Sequence, residues 1–443
     1  MTSYMLRRVV VAGLGSLILL VTPAPARCDP GDLLWEDRID LAGGIFIQTA
    51  IAAALNRVVA VGSTGTADNS ALAVRAYAAD TGALLWEDRL KTGSATVVMN
   101  GLWVIVTGVT VDDAGHRHGV VRAYVARTGK VIWQDTWPDG AEPQALDMDV
   151  LGLGAVVSGI TTDSAGARRL FVRAYAAWNG ALLWEDQPVP SGYTSVITVN
   201  RRSVAVRGTK AFVGASVRDR ACLIRAYDIL RGTVLWETVR PHFLFCNPAA
   251  VATNGKQVLL SGGAGESDFF FVQSYDAETG QFLWENQAAF ASGFENAALA
   301  VDTEGTNVFV AGWYRVAFSQ PGFTEAFVVR SYDAATGEAR WVDEFSEPEL
   351  FRFKLFHALD LAVTRGRVIA VGQEGNGAGR WFTRAHDPET GALLWSSTAE
   401  VAPLTTYGAS QAVAVDHERI FVAGSGLNAQ HNADFIIRAL DGQ

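Results

Sequence analysis

A tryptophan that returns eight times, with the same residues in front of it, constrains this chain more than any other feature. The segment Ala76-Tyr-Ala-Ala-Asp-Thr-Gly-Ala-Leu-Leu-Trp86 comes back as Ser274-Tyr-Asp-Ala-Glu-Thr-Gly-Gln-Phe-Leu-Trp284, Ser331-Tyr-Asp-Ala-Ala-Thr-Gly-Glu-Ala-Arg-Trp341 and Ala385-His-Asp-Pro-Glu-Thr-Gly-Ala-Leu-Leu-Trp395. The same frame surrounds Trp133, Trp184 and Trp236, and with Trp35 the tryptophans lie 47 to 57 residues apart. A fixed period of this size marks one supersecondary unit used repeatedly, each copy burying its apolar surface only against its neighbours. With 49% hydrophobic and 19% charged residues the chain has the material for a large core, which excludes a disordered or low-complexity reading.

Each unit reads as four short strands. In the fifth, residues 249–253 form strand a, Asn254-Gly255 a turn, 257–261 strand b, 269–275 strand c, Thr279-Gly280 a second turn, and 281–286 strand d. Four-stranded units of this length are propeller blades. The ends give the blade count. The last unit stops after strand c, at Phe435 to Gln443, while Pro30-Gly31-Asp32-Leu33-Leu34-Trp35 supplies the second half of its turn and a strand d. The fold expected is therefore an all-β, eight-bladed β-propeller of four-stranded antiparallel blades, the last closed by the N-terminal strand, with no open sheet edge. Arg75, Arg122, Arg173, Arg225, Arg330, Arg384 and Arg438, with Gln273 in the remaining blade, recur in strand c; twelve residues on stand Glu87, Gln134, Glu185, Glu237, Val342, Ser396 and, for Gln273, Glu285. A tight hairpin sets each pair opposite one another, as exposed cross-strand pairs belonging to the repeat architecture.

Residues 1–26 read as a secretory signal peptide: Arg7 and Arg8 precede a 13-residue apolar run, Val9 to Val21, and Pro23-Ala24-Pro25-Ala26 offers a small-residue cleavage site. The run is too short to span a bilayer comfortably. Residues 27–443 are then a single propeller domain, expected in the periplasm or secreted, without a transmembrane segment and as a monomer. The adjacent arginines admit twin-arginine as well as general export, and Cys28 invites lipid attachment, which Arg27 in front of it disfavours. The net charge of −10 lacks the basic footprint of a nucleic-acid binder.

The frame Ala-x-Asp-x-x-Thr-Gly-x-x-x-Trp resembles the tryptophan-docking motif of the quinoprotein, or PQQ-like, β-propeller repeat family over the whole chain after the signal peptide. The resemblance implies that Trp35, Trp86, Trp133, Trp184, Trp236, Trp284, Trp341 and Trp395 pack between adjacent blades. The family includes dehydrogenases holding PQQ and Ca²⁺, and non-enzymatic periplasmic propellers that bind partner proteins. The adjacent cysteine pair and the long insertions of the dehydrogenases are missing here. The chain therefore reads as a non-catalytic binding or scaffold module for a protein or peptide, with no cofactor expected. The alternative is a PQQ-dependent oxidoreductase with PQQ and Ca²⁺ at the central channel; carbohydrate binding is a third reading.

A search for chemistry supports this. The chain has no Gly-x-Ser-x-Gly elbow, no His-Glu-x-x-His and no Walker loop. Asp112, Asp113, His116 and His118 form the best metal-like cluster but read as a solvated loop. Cys222 and Cys246 fall at one rim, where an oxidising compartment permits but the sequence does not require a disulfide, which would leave Cys28 unpaired. In a propeller the d-to-a and b-to-c connections share one face, and here they are aromatic. Trp137, Phe243, Phe245, Trp313 and Tyr314, with Phe351, Phe353, Phe356 and His357, form the candidate binding face, unless they cap blade cores instead.

Overall fold

The computed structural model describes residues 29–443 apart from connecting segments, chiefly 41–47, 65–70, 139–143, 189–195, 242–245, 265–268, 289–295, 348–353, 401–411 and 428–432. Thirty-three strands and no helix are described, four strands to each of eight blades, with the innermost strand of blade 4 in two pieces. Blades are numbered here in chain order, and strands a to d run from the channel outward. Blades 1 to 8 occupy residues 48–90, 92–138, 144–186, 196–241, 246–288, 296–345, 354–400 and 412–441, the last completed by residues 33–40.

Strands b and c are apolar on both faces because each blade is sandwiched between two others. Strand b of blade 3, Gly154–Thr162, is buried at every residue but its last, whereas strand d of blade 1, Leu84–Leu90, alternates toward solvent. The hydrophobic interior is accordingly a ring of eight inter-blade cores rather than one centre: Val156 and Leu170 of blade 3 pack with Val213 and Leu223 of blade 4, and Ile51 and Val58 of blade 1 with Phe421 and Phe435 of blade 8.

The ring closes between its ends. Leu33–Asp40 pairs antiparallel with Ala433–Asp441, setting Trp35 opposite Ala439 and Glu36 opposite Arg438. The Gly31 amide donates to the Asp441 carbonyl at 2.7 Å, and the Asp441 amide to the Asp32 carbonyl at 2.9 Å. The split turn expected from the sequence thus forms from the two ends.

Each repeat tryptophan seats on the turn glycine of the next blade: Trp35 on Gly82, Trp86 on Gly129, and so round to Trp395 on Gly31. Gly82 has φ +69°, and any side chain there would collide with the Trp35 ring, so both backbone and packing call for glycine. The indole N–H then donates to a carbonyl of that next blade, as from Trp35 to Ala79 at 3.1 Å and from Trp284 to Ala334 at 2.8 Å. Trp395 makes no such bond among the described residues.

The register sets Arg75 opposite Glu87, Arg173 opposite Glu185 and Gln273 opposite Glu285, as the twelve-residue spacing requires. These pairs are not the exposed ones the sequence suggests. Arg75 is 17% exposed, and it holds Glu87 at 2.6 Å with one nitrogen and Asp37 of the preceding blade at 2.9 Å with another.

Candidate functional site

Two places on the ring carry more chemistry than the repeat requires: the central channel and the loop-rich rim of blades 6 and 7. The channel is a cavity of about 930 Å³ walled by the innermost strands. Most of its lining is small or branched, but Asp147 and Asp149 of blade 3, Asp302 of blade 6 and Asp360 of blade 7 also border it, with Arg168 and Arg202. The four carboxylates stitch neighbouring inner strands together. Asp147 accepts the Val204 amide at 2.7 Å and Asp149 the Val206 amide at 2.8 Å, both from blade 4. Asp302 accepts from Val363 of blade 7 at 3.2 Å, and Asp360 from Val413 of blade 8 at 2.9 Å.

Burial disfavours the charged form of these acids. It pushes Asp147 up to about 7 and Asp149 and Asp360 to about 6, and Asp302 moves in the same direction. Arg202 lies where the inner strand of blade 4 is interrupted, between Val196–Thr198 and Val204–Arg207. Its φ is +70°, a strained conformation for an arginine. Its amide reaches Asp147, its carbonyl accepts the Val251 amide of blade 5 at 2.7 Å, and its guanidinium pairs with Asp360 of blade 7. One residue thus ties blade 4 to blades 3, 5 and 7, with its cation already matched.

At the rim of blades 6 and 7, strands b and c of blade 6 run long, Asn307–Ser319 and Gly322–Asp333, and strand c joins strand a of blade 7, Lys354–Thr364, in a short parallel pairing. No other pair of blades shares a strand pairing of this kind among the described residues. On this fused sheet Trp313 stacks on His357, ring centres 4.5 Å apart and planes 18° apart, and both are half-buried. Glu325, 3% exposed, binds His357 at 2.6 Å and Arg315 at 2.8 Å. Arg380 holds the buried Glu374 at 2.5 Å and Glu347 at 2.6 Å. Every charge named in this cluster is matched, and the stacked pair is half-buried beside it.

The remaining sequence candidates divide. Trp137, Tyr314 and Phe356 are 4%, 6% and 0% exposed, so these three serve blade cores rather than an exposed face. Trp137 packs edge-on against Phe171 with the Arg173 guanidinium over its ring. Trp137 and Phe356 are covered by side chains of the neighbouring blade, Phe171 and Phe345, which the order of residues along one blade does not reveal. Phe243, Phe245, Phe351 and Phe353 lie outside the described residues. Cys222 and Cys246 are joined, Cα atoms 5.4 Å apart, linking strand c of blade 4 to strand a of blade 5. Asp112 accepts from His116 at 3.2 Å and His118 at 3.0 Å and holds the Ala114 and His116 amides in an exposed turn; the His118 bond foremost keeps it well below the usual carboxylate range.

One device escapes the sequence reading. After five of the docking tryptophans the second residue is an aspartate, Asp37, Asp88, Asp135, Asp186 or Asp343, that reaches an arginine and a tyrosine or histidine of the next blade. Asp37 binds Arg75 and Tyr77, Asp88 binds Arg122 and Tyr124, and Asp186 binds Arg225 and Tyr227, at 2.6–2.9 Å. Asp343 binds Arg384 and His386 in the same way, with His386 in place of tyrosine. Part of the signal was present: Thr238, two residues after Trp236, coincides with Gln273 instead of arginine in the next blade, although Asn286 and Ser397 precede Arg330 and Arg438.

Among solved structures, the quinohemoprotein alcohol dehydrogenase of Comamonas testosteroni matches with a TM-score of 0.57 and 12% identity over 93% of this chain and 76% of that one. Sqt1 of Saccharomyces cerevisiae matches at 0.52 and 11% over 92% and 99%. The BamB of Moraxella catarrhalis matches at 0.49 and 13% over 93% and 97%. Likeness at these identities speaks to the propeller fold and not to activity. No curated protein matches the sequence. The family model described as outer membrane protein assembly factor BamB matches residues 26–139 and 117–374. With that match over most of its length, the docking repeat and the closed ring, the chain belongs to the PQQ-like propeller family of the outer membrane protein assembly factor BamB.

Proposed function

We propose that this protein is an exported, non-catalytic scaffold that captures a protein or peptide partner through its loop-rich face, at the rim shared by blades 6 and 7. The observation that carries the reading is the stacked Trp313–His357 pair, half-buried on the strand pairing shared by blades 6 and 7 and backed by matched charges. An aromatic anchor held in one rotamer costs little ordering entropy when a partner docks. Export agrees with the N-terminal segment and with the Cys222–Cys246 bond, which forms and persists in an oxidising compartment.

The channel does not favour the alternative, a PQQ-dependent oxidoreductase. A quinone bearing several carboxylates needs cations and amide donors around it; the described lining offers the amides of Asn200, Asn247 and Asn296 but sets four aspartates against two arginines, one of them matched to Asp360. Those aspartates belong to three blades and spend oxygens on backbone amides, so they do not make a calcium cage. The test places a photo-crosslinking residue at position 313 of the exported protein in its own cells. A discrete adduct, lost when His357 is changed to Ala, is expected. Absence of adducts, or a rise in Tm with PQQ and Ca²⁺ together with turnover of an alcohol, overturns the reading.

A further inference from the structure

The face opposite the loops, built from the a-to-b and c-to-d turns, is divided in a way the repeat does not require. Blades 1 to 4 expose large apolar side chains at the turns: Leu55 (60%), Leu102 (65%), Leu153 (57%), Trp178 (43%) and Leu230 (56%). They form one arc. Leu55 rests on Gly101, beside Leu102; the Asn100 amide reaches the Gly152 carbonyl at 3.4 Å, beside Leu153; and the Leu153 carbonyl accepts the Ala177 amide at 2.8 Å, beside Trp178. Ile229 packs on Gly154 and brings Leu230 to the end of the row.

Charge follows the same division. The turns of blades 1 to 4 carry the exposed cations Arg127, Lys130, Arg207 and Arg231, against the acids Asp80 and Asp228, the latter paired with Arg231 at 3.3 Å. Those of blades 5 to 8 carry Glu278, Glu338, Asp387, Glu389 and Glu418, against the exposed Lys256. A chain of net charge −10 thus gathers cations around its exposed leucines and places acids on the far half of the face.

Leu55 adds a separate sign. It sits at φ +50°, in a turn where blades 2 to 7 place a glycine at positive φ. Leucine is poorly suited to that conformation, and asparagine or glycine would serve the hairpin better. Strain kept at an exposed apolar tip points to a contact outside the molecule.

We infer that this arc is a docking surface for an anionic lipid membrane, with the leucines and Trp178 entering the headgroup boundary and Arg127, Lys130 and Arg231 against the lipid charges. Apolar tips ringed by basic residues match such a surface, and the acidic half fixes the tilt by repulsion. The site is on the opposite face from the proposed partner rim, so either can stand without the other.

The test uses the protein from Arg27 onward, which retains every strand of the ring, in flotation with phosphatidylcholine vesicles with and without phosphatidylglycerol. Binding only to the anionic vesicles, weakened by salt, is expected. Leu55→Asn, Leu102→Asn and Leu153→Asn together should lower it about tenfold or more, and Arg127→Gln with Lys130→Gln should reduce its salt dependence. All five positions are exposed, and melts of the variants verify folding. Failure of the parent protein to float, equal flotation of the triple variant, or a dimer in sedimentation that the triple variant dissolves would each overturn the inference, the last by assigning the arc to a second copy of the chain.

Discussion

A glycine and a tryptophan set the terms at the scale of single residues. Gly82 meets two demands at once, a left-handed backbone and room for the Trp35 ring, while Gly208 at φ +62° has open space around it. The two positions separate backbone cost from packing cost. Gly208→Ala should destabilise by about 1 kcal/mol, the price of φ alone. Gly82→Ala should lose about 3 kcal/mol, since the ring must also shift within a packed core; equal losses for the two in urea melts would show that the indole is not tightly seated. The pairing of Arg75 with Glu87 was legible in the sequence because a short hairpin has one register. The third member, Asp37, was not, because it arrives from the blade before and no spacing within a unit reports that neighbour. Arg202 was illegible for another reason: its reach depends on a broken inner strand and a strained φ that no propensity favours.

The innermost strands are joined by side chains rather than by a shared ladder, and this makes the channel wall sensitive to pH. Asp147 has its native value near 7 against about 3.9 in an unfolded chain. Between those values the native form holds a proton that the unfolded form has released. Its contribution is therefore complete below pH 4 and is lost as pH rises through 7. Asp343 runs the other way: its bonds to His386 and Arg384 outweigh burial and hold its value low, so its contribution is present at neutral pH and lost on acidification. Asp147→Asn keeps an oxygen for the Val204 amide and removes the ionisation. Its benefit to stability should be about 2 kcal/mol larger at pH 8 than at pH 5, measured by denaturant unfolding at both. A benefit independent of pH would mean that Asp147 stays ionised in the native wall. The aspartates stand in plain view in strand a, yet their role depends on the amides of the following blade, which lie 53 to 61 residues away.

For the whole molecule, stability resides in eight inter-blade cores and one seam. Blade number and the seam follow from the repeat and its two incomplete ends, whereas the division of the turn face follows from none of the motifs. A chain beginning at residue 41 removes Leu33–Asp40, strips the outer strand from blade 8 and withdraws Trp35 from Gly82. Such a chain should melt far below the protein from Arg27, by about 10 °C or more given several kcal/mol of lost packing; an unchanged Tm would show that the ring holds without its seam. The seam also has a meaning in time. Glu36 emerges early in synthesis, and its partner Arg438 emerges about 400 residues later; at the usual pace of the ribosome that is an interval of tens of seconds. Throughout it the first strand has nothing to pair with, so the finished ring exists only once the far end has been delivered. Closure by the two ends thereby works as a clock, holding the protein open for the length of its own production.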